Sequence, residues 1–346
     1  MITLEPVNAF TPALEAGAPY SCTAPWLDLC RKVYGYDLRL FRVARDGAPI
    51  GGFCCAAVRS ALFGNRLVSM PFSDEPGLWL NPGASLPAGG RAALGAALEA
   101  ALDALAAETG AAYAELRGAD GACPAEKFQE TSPYLRLVLD TSRPYEALRE
   151  NFHINLLKNL RKADKTVTVG ETRNPADFAG VYGVYLSQMR RFGSPPLPAA
   201  HFEALLRSGL GRLYTASVNG ARAAFLFALV RNGVLYADVN AGLPAYEAHF
   251  PKIRLFDETI RRACAEGLRA YDFMRTRPGG GVYEHKKKWG GAELPVKYFF
   301  RIYKRGVKPG LDPEEGRFAL PRLLLRHAPL CLLRSVGPAV RRHAAK

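Results

Sequence analysis

Two stretches of the chain follow the same order of predicted elements, and this order constrains the fold more than any single motif does. Residues 41–58 and 214–230 each contain a strand, an Asp-Gly or Asn-Gly hairpin turn and a second apolar strand. A third strand follows in both, at 65–72 and at 233–240, and then come a loop, a helix and a closing strand. The repetition predicts two similar α/β units.

The helix and the closing strand of each half also match. Residues 91–110 and 252–267 carry apolar side chains at helical spacing and end on a glycine. The closing strands "AAYAELRG" and "RAYDFMRT" place Arg117 and Arg275 at equivalent positions. Each half therefore predicts an α/β (α+β) unit, in which a mixed, twisted sheet packs against helices.

The length of 346 residues favours two domains. We expect a first unit at 1–140 and a second unit at 141–308 that includes the connecting helices. Residues 309–346 are predicted to form a basic amphipathic tail. Of the connecting helices, the one at 174–193 has Asn174 at its N-cap and Gly193 at its end.

The chain has a formal net charge of +14, and 49% of its residues are hydrophobic. This charge favours an anionic partner: RNA, an anionic lipid surface or a phosphorylated substrate. No stretch approaches the roughly 20 apolar residues of a spanning helix, and the N-terminus lacks the pattern of a signal peptide. We therefore expect a cytoplasmic protein. Its seven cysteines and six histidines show no metal-ligand spacing, so no metal site is predicted.

The string "YEHKKKWGG" at 283–291 concentrates charge between aromatic residues. Such a run is usually a solvated face, but it can also bind nucleic acid or belong to a catalytic site. Three glycines at 279–281 precede it, and an aromatic strand, "ELPVKYFFRIYK", follows it. The flanks indicate that the basic residues are held between a flexible segment and a sheet.

The segments "YLSQMRRFGSPPLPAAHFEALL" and "AYDFMRTRPGGGVYEHKKKWGG", together with the repeated order of elements, resemble the Fem-type transferases. These belong to the GNAT acyltransferase superfamily and contain two tandem GNAT-like units. The resemblance covers residues 20–305. The family's tract in the second unit is matched by Asp272, Phe273, Arg275, Tyr283, Lys286, Trp289 and Gly290. The sequence departs from the tract at Met274, which replaces a glycine, at Thr276 and at His285.

The resemblance implies the transfer of an acyl or aminoacyl group to an amine. A fixed cation near the reacting carbonyl would stabilise the oxyanion that forms, and Lys286 is the predicted catalytic cation. Asp272 is predicted to orient Lys286 or to accept a proton. The predicted substrate-binding residues are Arg275, Tyr283 and Trp289 and, from the tract "SMPFSDEPG" in the first unit, Ser73 and Asp74.

Each of these roles has a structural alternative. Lys286 could be a surface lysine, and Arg275 could form an ion pair with Asp272 or Glu284. Tyr283 and Trp289 could belong to the core, as aromatic residues at such spacing usually do.

The donor is predicted from an absent motif. Acyl-CoA-binding GNAT units carry a glycine-rich turn at a helix N-terminus that cradles the pyrophosphate, and neither half of this chain supplies it. Together with the net charge, this absence favours aminoacyl-tRNA over acyl-CoA as the donor, with no further cofactor. The predicted phosphate contacts are Lys158, Arg161, Lys162, Lys165, Lys287 and Lys288. A basic helix that only faces solvent explains the first four equally well.

Two alternatives to this function stay open. One is an acyl-CoA-dependent N-acyltransferase that acts on an amino sugar or another small amine, and the other is a non-catalytic RNA or membrane-surface binder. The tail alternates leucine clusters with arginines, so it can lie on the anionic inner face of a membrane or pack its leucines on the protein. A monomer is expected, since two units can form a cleft within one chain.

Overall fold

The computed structural model describes residues 1–119, 123, 127–310 and 315–345. Contacts divide the chain into two compact units. The first contains Met1–Pro133, Val296–Asp312 and Arg341–Lys346, and the second contains Tyr134–Pro295 and Pro313–Val340. This division places residues 296–308 in the first unit, whereas the sequence prediction assigned them to the second.

The described elements run in the following order along the chain: β1 (Ile2–Val7), α1 (Pro12–Ala16), α2 (Ala24–Lys32), β2 (Asp37–Arg45), β3 (Ala48–Val58), β4 (Arg66–Val68), β5 (Leu78–Leu80), α3 (Gly90–Thr109), β6 (Tyr113–Arg117), β7 (Gln129–Asp140), α4 (Tyr145–Arg149), α5 (Ile154–Ala163), β8 (Val167–Thr172), α6 (Ala179–Phe192), α7 (Ala199–Arg207), β9 (Gly211–Val218), β10 (Ala221–Arg231), β11 (Val234–Gly242), α8 (Pro251–Ala265), β12 (Ala270–Thr276), α9 (Gly281–Lys287), β13 (Ala292–Ile302), α10 (Ala319–His327) and α11 (Leu330–Ala344). Short 3₁₀ turns cover Tyr20–Cys22, Pro175–Phe178, Pro244–His249 and Gly316–Phe318.

The first unit contains a mixed sheet. Its strands are ordered β1-β2-β3-β4-β6, and β5 pairs with β3. Antiparallel pairing extends the sheet from β6 to residues 298–302 of β13. Helix α3 packs on this sheet through Leu94, Leu98 and Leu102, which lie in one buried apolar cluster with residues of the strands. Burial of these side chains stabilises the unit.

The second unit also contains a mixed sheet with a helix packed on it. Strand β7 from Leu135 onward begins its sheet, and β12, β11, β10, β9 and β8 follow in that order. Helix α8 packs on the strands through Leu255, Phe256 and Ile260. In both units the third strand runs parallel to the closing strand, β4 to β6 and β11 to β12. The predicted α/β class with mixed sheets and packed helices is confirmed, while the internal duplication stays a prediction.

The connecting helix at 174–193 ends as the sequence predicts. The Asn174 side chain accepts a hydrogen bond from the Ala176 amide at 3.1 Å, so it caps the 3₁₀ turn that leads into α6. Gly193 ends α6 in the left-handed conformation, with a φ of 64°. None of the helices in the described ranges combines the length and the hydropathy that a membrane crossing requires.

Candidate functional site

The closing strand of the second unit has an irregular end. The pairing of β12 with β7 shifts register between Asp272 and Arg275, so the strand bulges there. Met274 lies in the bulge with a φ of 59°, in the left-handed region that non-glycine residues rarely adopt. Its amide donates a 2.7 Å hydrogen bond to the Asp272 carboxylate. The resemblance to the Fem-type tract implies a glycine at position 274, and the backbone has the glycine-type conformation although the residue is methionine.

Lys286 lies beside this bulge. It is on α9 and only 7% exposed, so the alternative of a surface lysine is wrong. Its Nζ donates hydrogen bonds to the carbonyl oxygens of Met274, at 2.9 Å, and of Arg275, at 3.1 Å. A buried ammonium requires such partners, because desolvation of an unpaired charge is costly. Lys286 therefore fixes the end of β12, and its predicted catalytic role stays a prediction.

Asp272 pairs with an arginine that the sequence did not single out. Arg136 on β7 donates to Asp272 Oδ2 from Nε at 2.6 Å and also from Nη2. The Arg136 guanidinium also lies 5.7 Å from the centre of the Tyr236 ring. The Asp272 carboxylate thus contacts Arg136 and the Met274 amide, and both contacts hold the bulge in place. No local pattern in "PYLRLVLD" marks Arg136, because strand pairing brings it to Asp272.

Arg275 and the nearby Arg277 both face an aromatic ring. Their guanidinium carbons lie 5.2 Å and 5.4 Å from the centre of the Tyr134 ring. Arg275 is half-buried. Two stacked guanidinium groups at the end of a strand concentrate positive charge and planar donors that suit carboxylate or phosphate groups. The sequence predicted Arg275 as a substrate-binding residue but did not select Arg277 or Tyr134.

Tyr283 is 9% exposed and hydrogen-bonded at its hydroxyl. The hydroxyl donates to Glu293 Oε1 at 2.8 Å and accepts from Lys287 Nζ at 3.2 Å. Lys287 is otherwise exposed, as is Lys288. Tyr283 therefore belongs to a polar cluster at the rim of the core.

Trp289 is fully buried and packs against three phenylalanines, at ring-centre distances of 5.0 Å to Phe152, 5.9 Å to Phe256 and 6.0 Å to Phe273. Its indole nitrogen is buried and has no hydrogen-bond partner among the described residues. One edge of the residue borders a cavity of about 190 Å³ that Asn151 and Gly290 also line. The core alternative therefore describes Trp289, and the predicted substrate contact is untested.

Ser73 and Asp74 are both buried in the first unit. The Ser73 hydroxyl donates to the Tyr20 hydroxyl at 3.1 Å, and the Tyr298 hydroxyl donates to Asp74 Oδ1 at 3.2 Å. The carbonyl of Ser73 accepts a hydrogen bond from Arg117. Arg117, the counterpart of Arg275, is almost inaccessible and also pairs with Glu115 at 2.7 Å. These contacts hold Ser73 and Asp74 in place within the first unit, and their predicted role in substrate binding stays a prediction.

The basic residues Lys158, Arg161, Lys162 and Lys165 are exposed on α5 and the turn after it. Lys162 Nζ lies 5.7 Å from the centre of the Phe250 ring, and Phe250 is the left-handed residue that precedes α8. The basic face of α5 thus reaches the N-terminus of α8, where the helix dipole favours anions.

A second group of basic side chains lies near the first turn of α8. Burial lowers the pKa of Lys252. Burial first, and then the positive charges of Lys252, Lys288 and Lys286, lower the pKa of His285 to about 4. His285 is therefore neutral at pH 7 and adds no charge. The sequence did not select Lys252, because a lone lysine at the start of a helix carries no distinctive signal.

Comparison with known families and structures agrees with this geometry. Residues 151–287 match the family model described as "Acetyltransferase (GNAT) domain". The matched range includes the basic helix α5, the N-terminus of α8, the bulge in β12 and Lys286.

The crystal structure of FemX matches at a TM-score of 0.65 and 13% identity, over 84% of this chain and 93% of that one. The chain carries the Fem-like GNAT acyltransferase fold. L-PGS from Bacillus licheniformis also has this fold, with a TM-score of 0.53 at 11% identity over 97% of this chain and 100% of that one. A conserved protein of unknown function from Bacteroides thetaiotaomicron matches at a TM-score of 0.51 and 13% identity, over 88% of this chain and 100% of that one.

No curated protein matches the sequence significantly. The predicted Fem-type, GNAT-like fold is confirmed by the FemX structure, and the GNAT acetyltransferase model matches residues 151–287 of this chain. At such identities the solved structures establish the fold alone, and the roles of individual site residues stay predictions.

Proposed function

We propose that this acyltransferase moves an aminoacyl group from aminoacyl-tRNA to an amine acceptor and forms an amide. The observation that carries the proposal is the contact between Lys162 and Phe250, which joins the basic face of α5 to the N-terminus of α8. Three further exposed cations, Lys158, Arg161 and Lys165, lie on α5 or the turn after it, beside Lys162. A polyanion such as RNA, with a phosphate at each nucleotide, fits this arrangement.

The segment before α8 also supports an RNA donor. Acyl-CoA donors are typically held by a glycine-rich turn whose amides surround the pyrophosphate. Here Pro244–His249 form a 3₁₀ turn that contains Glu247, and Phe250 ends it in the left-handed conformation. The turn thus carries a carboxylate and a bulky ring where a glycine cradle would present amides. The predicted aminoacyl-tRNA donor therefore remains the better candidate.

In the proposed reaction the neutral amine of the acceptor attacks the ester carbonyl of the aminoacyl-tRNA. A tetrahedral intermediate forms, and its oxygen carries the negative charge. When the intermediate collapses, the C–O bond breaks, the terminal hydroxyl of the tRNA leaves, and the proton lost by the amine passes to that hydroxyl. Lys286 is proposed to stabilise the oxyanion, since its buried ammonium is held in place by two carbonyl groups.

A binding competition tests the donor. Fluorescently labelled aminoacyl-tRNA is titrated with the protein at several salt concentrations, and acetyl-CoA is titrated separately by calorimetry. We expect tight, salt-dependent tRNA binding. The combined variant Lys158→Gln, Arg161→Gln, Lys162→Gln and Lys165→Gln should lower the slope of log K against log salt by about 0.7 to 0.9 for each lost phosphate contact.

Arg91→Gln, a change at an exposed arginine of the first unit, is the matched control and should leave the slope as it is. Saturable acetyl-CoA binding by a protein that does not bind tRNA would contradict the proposed donor.

The family match favours a second candidate. Because residues 151–287 match an acetyltransferase (GNAT) domain model, an acyl-CoA thioester could acylate an amino sugar or another small amine at the same site. Mass spectrometry of a small-amine mixture incubated with acetyl-CoA would then show a product heavier by one acetyl group. The two candidates share the transfer chemistry and differ in the donor.

A further inference from the structure

The leucines of α10 face solvent instead of the protein. Leu320, Leu323 and Leu324 are spaced three and four residues apart and therefore share one side of the helix. Their exposed fractions are 64%, 50% and 64%. In a surface helix of a globular protein, the stripe with this spacing is normally the buried one. Helix α10 presents its apolar stripe to the outside.

Helix α11 repeats this arrangement. Leu332 and Val336 are one turn apart and are 50% and 49% exposed. The buried positions of the helix are Leu333 and Gly337. Both C-terminal helices thus carry an exposed apolar stripe, and we call these five side chains the leucine face. An exposed apolar area of this kind typically marks a binding surface.

Close contacts with the second unit hold both helices in place. A Cβ atom at position 193 would lie 2.4 Å from the carbonyl oxygen of Arg322, and one at position 337 would lie 2.2 Å from Pro196 Cδ. The neighbouring segments can approach this closely only because residues 193 and 337 are both glycines and have no Cβ atom. The Arg334 guanidinium also lies 5.9 Å from the centre of the Tyr182 ring on α6. The leucine face is therefore displayed by anchored helices.

The charge of this segment is of one sign. Residues 316–346 contain no Asp or Glu, and they contain Arg317, Arg322, Arg326, Arg334, Arg341, Arg342 and Lys346. Arg326 and Arg334 are exposed on the same two helices as the leucine face. Phe192, exposed by 50% at the end of α6, directly precedes the glycine that contacts α10. The two C-terminal helices thus combine exposed apolar side chains with cations, and their segment supplies no acidic side chain that would repel an anion.

We propose that α10 and α11 dock the protein on an anionic lipid bilayer, with the leucine face in the acyl-chain region and the arginines at the headgroups. A bilayer of anionic lipid offers an apolar layer directly beneath a negative one. The apolar layer matches the leucine face, and the negative layer matches the arginines. RNA would use the arginines and leave the leucines in water. The docking is peripheral and does not depend on which donor the transferase uses.

Vesicle binding tests this surface on the full-length protein. Cys331 is exposed on α11 next to Leu332 and accepts an environment-sensitive fluorophore, in a background with Cys123→Ser and Cys264→Ser. With vesicles of equal parts phosphatidylglycerol and phosphatidylcholine, we expect co-sedimentation and a blue shift of the label. With pure phosphatidylcholine we expect neither result. Binding without a blue shift would overturn the proposal, because the leucine face would then not enter the lipid.

Two matched substitutions identify the face. Leu320→Gln with Leu324→Gln removes exposed side chains, so the fold should persist while the vesicle affinity falls at least about tenfold. Leu62→Gln changes a leucine that is equally exposed, by 60%, in the first unit, and it should leave the affinity unchanged.

Undiminished vesicle binding of the double variant would refute the docking face. So would a dimer that forms without lipid and disappears in the double variant, because the leucine face would then be a contact between two copies.

Discussion

Lys286 Nζ donates a 2.9 Å hydrogen bond to the carbonyl oxygen of Met274, a residue in the left-handed conformation. A buried lysine on α9 thereby fixes the bulge at the end of β12. The bulge turns the carbonyls of Met274 and Arg275 toward one ammonium group. Backbone strain of this kind is kept where the surroundings enforce it, and it often coincides with functional sites.

At position 274 we expect the glycine variant to be more stable than the alanine variant, which is the reverse of their usual order of stability. Both Met274→Gly and Met274→Ala remove the same buried side chain, but alanine keeps the left-handed penalty, which is about 1–2 kcal/mol for a non-glycine residue. We expect the glycine variant to unfold at a higher denaturant concentration, with a free energy of unfolding about 1 kcal/mol larger. The same pair at Met189, inside α6, should show alanine as the more stable by about 1 kcal/mol. If the alanine variant were the more stable one at both positions, position 274 would carry no backbone strain.

Removal of the Lys286 ammonium should affect both turnover and stability. We expect Lys286→Ala to lower the rate of acyl transfer by about 10²- to 10³-fold, the usual loss for one oxyanion-stabilising donor. It also leaves two carbonyl groups without their ammonium partner, at about 1–3 kcal/mol each. Rates are therefore compared at a temperature at which circular dichroism shows both proteins folded. Lys32→Ala, at an exposed lysine of the first unit, is the control and should retain the wild-type rate. A fully active Lys286→Ala would remove this residue from the mechanism.

The ion pair between Arg136 and Asp272 should be costly to break from one side. Asp272 is 2% exposed, so Arg136→Met leaves a buried carboxylate without its cation and should reduce the free energy of unfolding by about 3–5 kcal/mol. The double change Arg136→Met with Asp272→Leu should recover much of this loss. Arg39→Met at the exposed ion pair with Asp37 and Glu108 should cost less than about 1 kcal/mol. Urea denaturation of the four proteins measures these differences.

His285 should make the folded state sensitive to mild acid. Its pKa is about 4 in the folded protein, first because of burial and then because of Lys252, Lys288 and Lys286, against 6.5 for a free side chain. Between these values the unfolded chain binds a proton that the folded protein does not, so the free energy of unfolding falls as the pH falls from about 6.5 to about 4. The slope is at most about 1.4 kcal/mol for each pH unit.

Denaturation curves recorded across this pH range measure the effect of His285. The variant His285→Gln should lose this part of the pH dependence, and His249→Gln serves as a control on the same unit. An unchanged profile for His285→Gln would assign the acid sensitivity to other groups.

The sequence predicted the α/β class, both hairpins with their third strands, and the caps of the helix at 174–193. These features depend on local periodicity and turn chemistry, which a single sequence displays. The sequence also selected Lys286 and Asp272, through a tract of residues close together along the chain. It missed Arg136 and Tyr134, which lie on β7, more than 130 residues before their partners on β12. Only strand pairing brings these residues together.

In the C-terminal helices, too, the sequence determines the composition and the tertiary structure determines which side chains are exposed. The sequence alone determined that residues 316–346 are basic, leucine-rich and free of carboxylates. It left open whether the leucines pack on the protein or face outward, because the two outcomes share one periodic pattern. The tertiary structure decided this point, since contacts at Gly193 and Gly337 fix which side of each helix is inside. The charge run at 283–288 likewise contains three adjacent lysines that the sequence alone cannot rank by burial. In the structure Lys286 is buried, whereas Lys287 and Lys288 are exposed to solvent. Burial depends on how a helix is turned against its neighbours, and that is a property of packing between segments distant in the chain.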